Sequence, residues 1–134
     1  MSCKSAIYTN NTGPIDVAVG GVIPLGTVNR RFGCNLNLSG NGITSTGDGY
    51  YEVAASFTFT ATAAGDITVT MLRDGVAVPG ATATETAAAA AAKVNVSFPA
   101  IVRQQCCNSS STLTFVLTGT AATLDNNPIV VKKL

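Results

Sequence analysis

The chain has 134 residues, of which 46 % are hydrophobic and 11 % charged, and its formal net charge is +1. The few scattered cations exclude the clustered basic surface that nucleic-acid binding requires. The absence of histidine removes the commonest general base, histidine-activated nucleophiles and most transition-metal sites. A chain of this length is predicted to form one domain, residues 1–134, with a core large enough to need no metal or disulfide.

The first elements are short and interrupted. Residues 5–9 predict a first strand, although residues 1–13 could instead serve as an anchoring arm. A turn cluster follows at 10–14, and alternating apolar residues then predict a strand at 15–19. The segment 22–28 carries Pro24 and Gly26, which favours an edge or irregular segment.

The clearest strand lies between Tyr50 and Thr60, where bulky apolar residues alternate with polar ones. Successive side chains of an extended chain point to opposite faces, so this period of two predicts a half-buried antiparallel strand. The apolar side consists of Tyr51, Val53, Ala55, Phe57 and Phe59. Further along, Asp74-Gly75 predicts a tight hairpin, because glycine after aspartate accepts the positive φ of a primed turn.

The C-terminal half continues the alternation. The alanine run 87–92 has high helix propensity but is too short to hold a helix alone, so we expect a surface connection with one helical turn at most. Residues 94–98 and 113–117 alternate, Pro99 is expected to shift the phase of its strand, and the last strand reaches Leu134. Nine to ten short strands predict an all-β fold, an antiparallel β-sandwich of the jelly-roll type.

The chemistry-bearing residues predict no enzyme. The seven carboxylates are Asp16, Asp48, Glu52, Asp66, Asp74, Glu85 and Asp125. Most stand beside Gly or Asn in turns, where aspartate caps its own backbone, and no pair is marked for acid–base work. We expect no catalytic residues, no metal site and no cofactor. Asn and Thr in the loop 108–112 could hold a glycan, but a solvated loop is the simpler interpretation.

The four cysteines are Cys3, Cys34, Cys106 and Cys107. Their spacing does not fit an ordinary zinc site. A Cys3–Cys34 bridge, or bridges to the vicinal pair, would form in oxidising surroundings. The sequence favours free thiols, because the first residues lack a secretion signal. Separately, no apolar run approaches the roughly 20 residues of a membrane helix.

Several apolar residues lie out of phase with the core side of their own strands, namely Tyr50, Val116, Val130 and Leu134. One exposed apolar residue needs no explanation, but four indicate a second buried surface. That surface is either a subunit interface or a face covered by sheet packing within the chain, and we favour the interface.

Two sets of motifs carry a resemblance. Residues 49–57, 67–75, 113–120 and 128–134 resemble strands and turns of the complement globular-head and tumour-necrosis-factor jelly rolls. Five further segments, together with the Met1 to Ser5 opening, are similar to small virion proteins encoded in phages and prophages of Gram-positive bacteria: Ile23–Gly26, Arg31–Cys34, Val76–Ala83, Pro99–Arg103 and Lys133–Leu134.

The resemblance implies a compact homotrimer whose inner sheets meet on the threefold axis. Carried over by position, the interface candidates are Tyr50, Phe115, Leu117 and Val130. The function implied is a non-enzymatic phage structural protein, a capsid decoration or short head fibre made in the host cytoplasm without a signal peptide. Its partners would be copies of itself and other virion proteins. The alternative is a receptor- or carbohydrate-binding head of a phage or cell-surface fibre.

Overall fold

The computed structural model describes residues 4–104 and 110–134, which form two antiparallel sheets packed face to face. Residues 105–109, the side chain of Thr12 and residues 1–3 lie outside this description. The strands are β1 (Ala6–Asn10), β2 (Thr12–Val17), β3 (Thr27–Phe32), β4 (Leu36–Ser39), β5 (Gly42–Ser45), β6 (Gly49–Ala61), β7 (Gly65–Arg73), β8 (Val76–Ala87), β9 (Lys93–Gln104), β10 (Ser111–Gly119), β11 (Ala122–Asn126) and β12 (Ile129–Lys133).

The all-β sandwich is confirmed, with 12 strands where the sequence predicted nine to ten. The strands that the sequence did not predict are β3, β5 and β11, each only four to six residues long. The segment 22–28 is irregular as expected until β3 begins at Thr27, and it carries one isolated bridge from Val22 to Val116.

The larger sheet is organised around β6, the longest strand. One edge of β6 pairs with β9 from Gly49 to Thr60. The other edge is shared, because β12 pairs with residues 51–55 and β11 with residues 58–61. The sheet continues outward through β1 and β3 on one side and β2 on the other. Antiparallel pairing on both edges fixes which residues of β6 face inward.

The smaller sheet has the order β4-β5-β10-β7-β8. Its hairpin between β7 and β8 turns at Asp74 and Gly75, with φ of 51° and 83°. Positive φ at both central positions is the geometry predicted from the Asp-Gly pair. The loop after β2 forms backbone hydrogen bonds with the C-terminal half of β10. Gly20 N donates to Leu117 O and Ile23 N donates to Phe115 O, both at 2.7 Å.

The alanine run connects the two sheets without a helix. Ala87 ends β8, residues 88–91 form a bend and turn, and Ala91 adopts a φ of 66°. Ala91 N donates to Ala61 O at 2.7 Å, and Ala61 N donates to Ala92 O at 2.9 Å. The backbone groups of the run are therefore used by tertiary hydrogen bonds, which outweigh the helix propensity of alanine in so short a segment.

The core lies between the sheets and is centred on four phenylalanines. The ring of Phe57 lies 5.4 Å from that of Phe115, 6.2 Å from Phe59 and 6.4 Å from Phe98, centroid to centroid. The apolar side predicted for β6 is buried as expected, with Tyr51, Val53, Phe57 and Phe59 all at 0 % exposure. This packing holds β6 and β9 rigidly beneath the outer face of the larger sheet.

Candidate interaction surfaces

The outer face of the larger sheet is apolar at one end. Residues directly opposite in an antiparallel pair share a face, and the register places Tyr50 opposite Arg103, Glu52 opposite Ile101 and Ala54 opposite Pro99. Val130 of β12 lies opposite Ala54, and Tyr8 of β1 lies opposite Val130. Leu134 lies beside them, since its N–H donates to Tyr50 O at 2.9 Å. The apolar residues of this group form what we call the apolar face: Tyr8, Tyr50, Ala54, Pro99, Ile101, Val130 and Leu134.

Large side chains on this face are well exposed in the single chain. Tyr50 is 52 % exposed, Ile101 59 % and Leu134 65 %. Ala54, Pro99 and Val130 line an open depression of about 480 Å³ beside them. A contiguous group of exposed apolar residues on a rigid sheet marks an interaction site more often than isolated ones do.

The charges on the apolar face are paired or stacked. Lys132 Nζ lies 3.1 Å from Glu52 Oε1, and the Arg103 guanidinium lies 5.8 Å from the centroid of the Tyr50 ring. A cation over an aromatic face gains about 0.5–1 kcal/mol at an exposed site. The Lys132–Glu52 pair balances its own charges, whereas Arg103 keeps a positive charge that is stacked on Tyr50.

The opposite end of the same outer face is polar. Asn95 Nδ2 donates to Ser56 Oγ at 3.1 Å, and Lys93 Nζ lies 3.1 Å from Asp125 Oδ2. The hydrogen bond from Thr60 Oγ1, at 2.7 Å, is the largest cause that lowers the pKa of Asp125; burial opposes it, and the hydrogen bond and charge of Lys93 lower the pKa further. This end satisfies its own hydrogen bonds and ion pairs, so the apolar character is confined to the Tyr50 end.

The four predicted interface residues divide into two pairs. Tyr50 and Val130 lie on the apolar face, but Phe115 and Leu117 are 0 % exposed between the sheets, so they are wrong as surface residues. The physical reason is parity: the odd-numbered residues of β10 face the core and the even-numbered ones face outward. The out-of-phase residues Tyr50, Val116, Val130 and Leu134 do lie outside the core.

Pro99 and Ile101 were not predicted for this face. Pro99 was expected to shift the phase of its strand, yet even-numbered residues of β9 face inward on both sides of it, with Phe98 and Val102 buried. Because β9 pairs only with β6, it is an edge strand and tolerates proline without a bulge. Counting the period of two straight through Pro99 would have placed Ile101 on the outer face.

A second feature is a groove of about 670 Å³ between the edge strands β8 and β9. Its walls are aliphatic, formed by Val76, Val78 and Pro79 on one side and Ile101 on the other. The charged and hydroxyl residues of its lining, which we call its mouth, are Arg73, Asp74, Arg103, Ser110 and Ser111. No sequence motif marked this groove, because its two walls are more than twenty residues apart along the chain.

The carboxylates of the described residues are engaged separately. Asp16 accepts a hydrogen bond from Thr123, Asp66 from Thr86, and Asp74 from the backbone N–H of Thr112. No group of three or more His, Cys, Asp or Glu that could hold a metal ion occurs among residues 4–104 and 110–134. In the same ranges, no helix is long and apolar enough to span a membrane.

The preference for free thiols is wrong for Cys34, which is disulfide-bonded. It stands in a polar cluster where Ser5 Oγ accepts hydrogen bonds from the backbone N–H groups of Cys34 and Asn35, at 3.1 and 3.0 Å. Cys3, Cys106 and Cys107 lie outside the described residues, as does part of the loop 108–112 proposed for a glycan.

Beside this cluster, the Tyr51 hydroxyl donates to the carbonyl oxygens of Thr46 and Gly47, at 2.6 and 2.9 Å. Burial, followed by the charge of Asp48, raises the pKa of Tyr51. A buried phenol that donates to two carbonyls has a structural role in holding the turn before β6.

Known structures with this architecture identify the fold. The Eiger TNF of S. frugiperda superposes with a TM-score of 0.73 at 11 % identity, covering 100 % of this chain and 94 % of that one. The fold is a TNF-like jelly roll. The globular domain of zebrafish complement 1qA protein gives a TM-score of 0.68 at 7 % identity over 96 % of this chain and 94 % of that one.

The PRD1 vertex protein P5 has the same fold, with a TM-score of 0.58 at 15 % identity over 100 % of this chain and 99 % of that one. No protein-family model and no curated protein matches the sequence. The expected jelly roll is therefore confirmed, while identities this low establish a shared fold alone.

Proposed function

We propose that the protein is a non-enzymatic structural protein of a phage virion, a homotrimeric jelly roll that decorates the capsid or forms a short head fibre. The main support for a trimer is the apolar face, where Tyr50, Ile101 and Leu134 are all more than half exposed in the single chain. Exposed side chains of this size gain about 25 cal/mol per Å² of apolar area when another subunit covers them.

Two further observations support a structural role. The charged content of 11 % is low, and the two ion pairs among the described residues lie within the larger sheet, Lys132–Glu52 between neighbouring strands and Lys93–Asp125 across β6. The likeness to the PRD1 vertex protein P5 supports a place on a virion. The phage-like motifs of the sequence point in the same direction.

The oligomeric state is tested by light scattering coupled to size exclusion. We expect the wild type to have three times the chain mass of 13.6 kDa. Ile101→Glu places a charge in the middle of the apolar face, so we expect it to release monomers. The matched control is Val19→Glu, because Val19 is 54 % exposed in the loop after β2 and away from that face.

A wild-type monomer would refute the trimer, and dissociation by Val19→Glu as readily as by Ile101→Glu would refute the assigned face. The virion role has a separate test, namely protein identification in density-purified particles from cells that encode this chain. Recovery in the particle band supports the role, whereas recovery only in the particle-free fractions contradicts it.

A further inference from the structure

The groove between β8 and β9 has the dimensions of a ligand site. Its volume of about 670 Å³ lies within the range of roughly 300–1,000 Å³ typical of pockets for small molecules. It lies where the two sheets part at their edges, so its walls belong to rigid strands. Val102, which is 7 % exposed, forms part of its floor.

Two arginines at the mouth carry charges that no acid of the described residues neutralises. The ion pairs found there are Lys93–Asp125 and Lys132–Glu52, and neither involves Arg73 or Arg103. Arg73 Nε donates to Ser111 Oγ at 3.3 Å, and Arg103 stacks over Tyr50. Both guanidinium groups are thus oriented by the protein and keep N–H donors for a carboxylate, which arginine binds in a two-pronged geometry.

The rest of the lining is mixed in polarity. Asp74 uses Oδ1 to accept the Thr112 N–H at 2.9 Å, and its Oδ2 has no hydrogen-bond partner in the part of the chain that the structure describes. Ser110 adds a hydroxyl group at the same mouth, whereas the buried Ser111 hydroxyl donates to Gln104 Oε1 and accepts from Arg73. Asp74 and Ser110 can accept from and donate to the hydroxyls of a ligand, whereas Asp74 repels a ligand that carries several negative charges.

We propose that this groove binds a sugar that carries a single carboxylate, such as a sialic acid or uronic acid unit of a glycan. The carboxylate pairs with Arg73 and Arg103, and the sugar hydroxyls contact Asp74 and Ser110. The C–H face of the ring packs on the aliphatic walls. An acidic peptide fits less well, because its further carboxylates would approach Asp74, which lines the same groove.

The proposal goes beyond the virion role and does not require it. Ile101 belongs to both the apolar face and the groove, so the site lies at the rim of the proposed interface. The oligomeric state of each variant is measured alongside binding, which separates loss of ligand contacts from loss of assembly.

The test is a titration of the ¹⁵N-labelled full chain with N-acetylneuraminic acid, glucuronic acid and, as a neutral control, glucose. We expect the acidic sugars to shift amide signals of residues 73–79 and 101–103, and glucose to leave them unchanged. Arg73→Gln and Arg103→Gln should each weaken binding about tenfold through loss of a charge-assisted hydrogen bond. Arg30→Gln, on the distant strand β3, should change the affinity by less than about twofold.

Arg73→Lys and Arg103→Lys keep the charge but remove the planar fork, so intermediate weakening is expected from variants that fold normally. The proposal is overturned if glucose binds as well as the acidic sugars, or if neither acidic sugar shifts these signals at tens of millimolar. It is also overturned if a Glu-rich peptide binds where the sugars do not, or if the two glutamine variants bind like the wild type.

Discussion

Gly26 and Gly80 offer a matched test of how the irregular loop before β3 is held. Their φ values are almost equal, +81° and +79°, so Gly→Ala imposes the same left-handed strain at both. At Gly80 a Cβ would meet nothing within 4 Å, whereas at Gly26 it would collide with the backbone oxygen of Asn10 and with Oδ1 of Asn11. The pair therefore isolates the steric cost from the conformational cost.

The collision at Gly26 cannot be relieved cheaply, because Asn11 is tied to a buried network. Asn11 N donates to Asn127 Oδ1 at 2.9 Å, and Asn11 Nδ2 donates to Pro24 O at 2.7 Å. Asn127 is 0 % exposed and donates to the same Pro24 oxygen at 2.9 Å. Moving Asn11 would strain or break these hydrogen bonds, and overpacking of this kind costs about 1–3 kcal/mol.

We therefore expect Gly80→Ala to lower the free energy of unfolding by about 1–2 kcal/mol, the cost of a left-handed alanine. Gly26→Ala should lower it by about 2–5 kcal/mol, which is the same strain plus the overpacking. The effect of the added methyl on the unfolded chain is common to both and cancels in the comparison.

The assay is urea unfolding followed by far-ultraviolet circular dichroism, with all proteins at one chain concentration, because the proposed assembly would make the apparent stability concentration-dependent. Equal losses in the two variants, within about 0.5 kcal/mol, would refute the reasoning. That result would mean that the Asn10 to Asn11 backbone yields to a methyl group and that the network does not hold the loop.

Two further predictions concern the core and the polar end of the larger sheet. Phe115→Ala should lower the free energy of unfolding by about 3–5 kcal/mol, because it opens a cavity in the phenylalanine cluster. The control Phe32→Ala, at a side chain 62 % exposed, should change the free energy of unfolding by less than about 0.5 kcal/mol. If Phe115→Ala also lowered the free energy of unfolding by less than about 0.5 kcal/mol, the core role of Phe115 would be contradicted. Asp125→Asn should cost about 1 kcal/mol at pH 7 by removing the ion pair with Lys93. Since the folded-state pKa of Asp125 is lowered, its contribution is present above the usual value of 3.8 and is lost as the pH falls through the folded-state pKa. The unfolding curves of variant and wild type should therefore converge in acid, and a gap that persists at pH 2 would contradict the assignment.

The alternative function, a receptor- or carbohydrate-binding head, is compatible with the same trimer. The groove lies at the rim of the apolar face, beside the centre of the proposed interface, so one domain could use both surfaces. A virion protein that also bound an acidic sugar would join assembly and host recognition in one domain. The titration of the groove separates these functions from one another.

The sequence by itself determined the strands that pair locally and alternate clearly. The period of two along β6 fixed which of its residues are buried, since a strand in an antiparallel sheet has only two faces. The Asp74-Gly75 turn was equally certain, because few residue pairs accept positive φ twice in succession. Both signals reside in consecutive residues, where chain geometry alone decides the outcome.

Only the tertiary structure decided the alanine run and the groove. The alanine turn is held by hydrogen bonds to Ala61, about thirty residues earlier in the chain. Phe115 is a different case, because the alternation along β10 already placed it opposite Val116, on the core side, and the interface role carried over from the resemblance was wrong. Arg73 and Arg103 meet at one mouth only because β8 and β9 leave the alanine turn into different sheets. Long-range packing creates such neighbours, and nothing local to either residue encodes them.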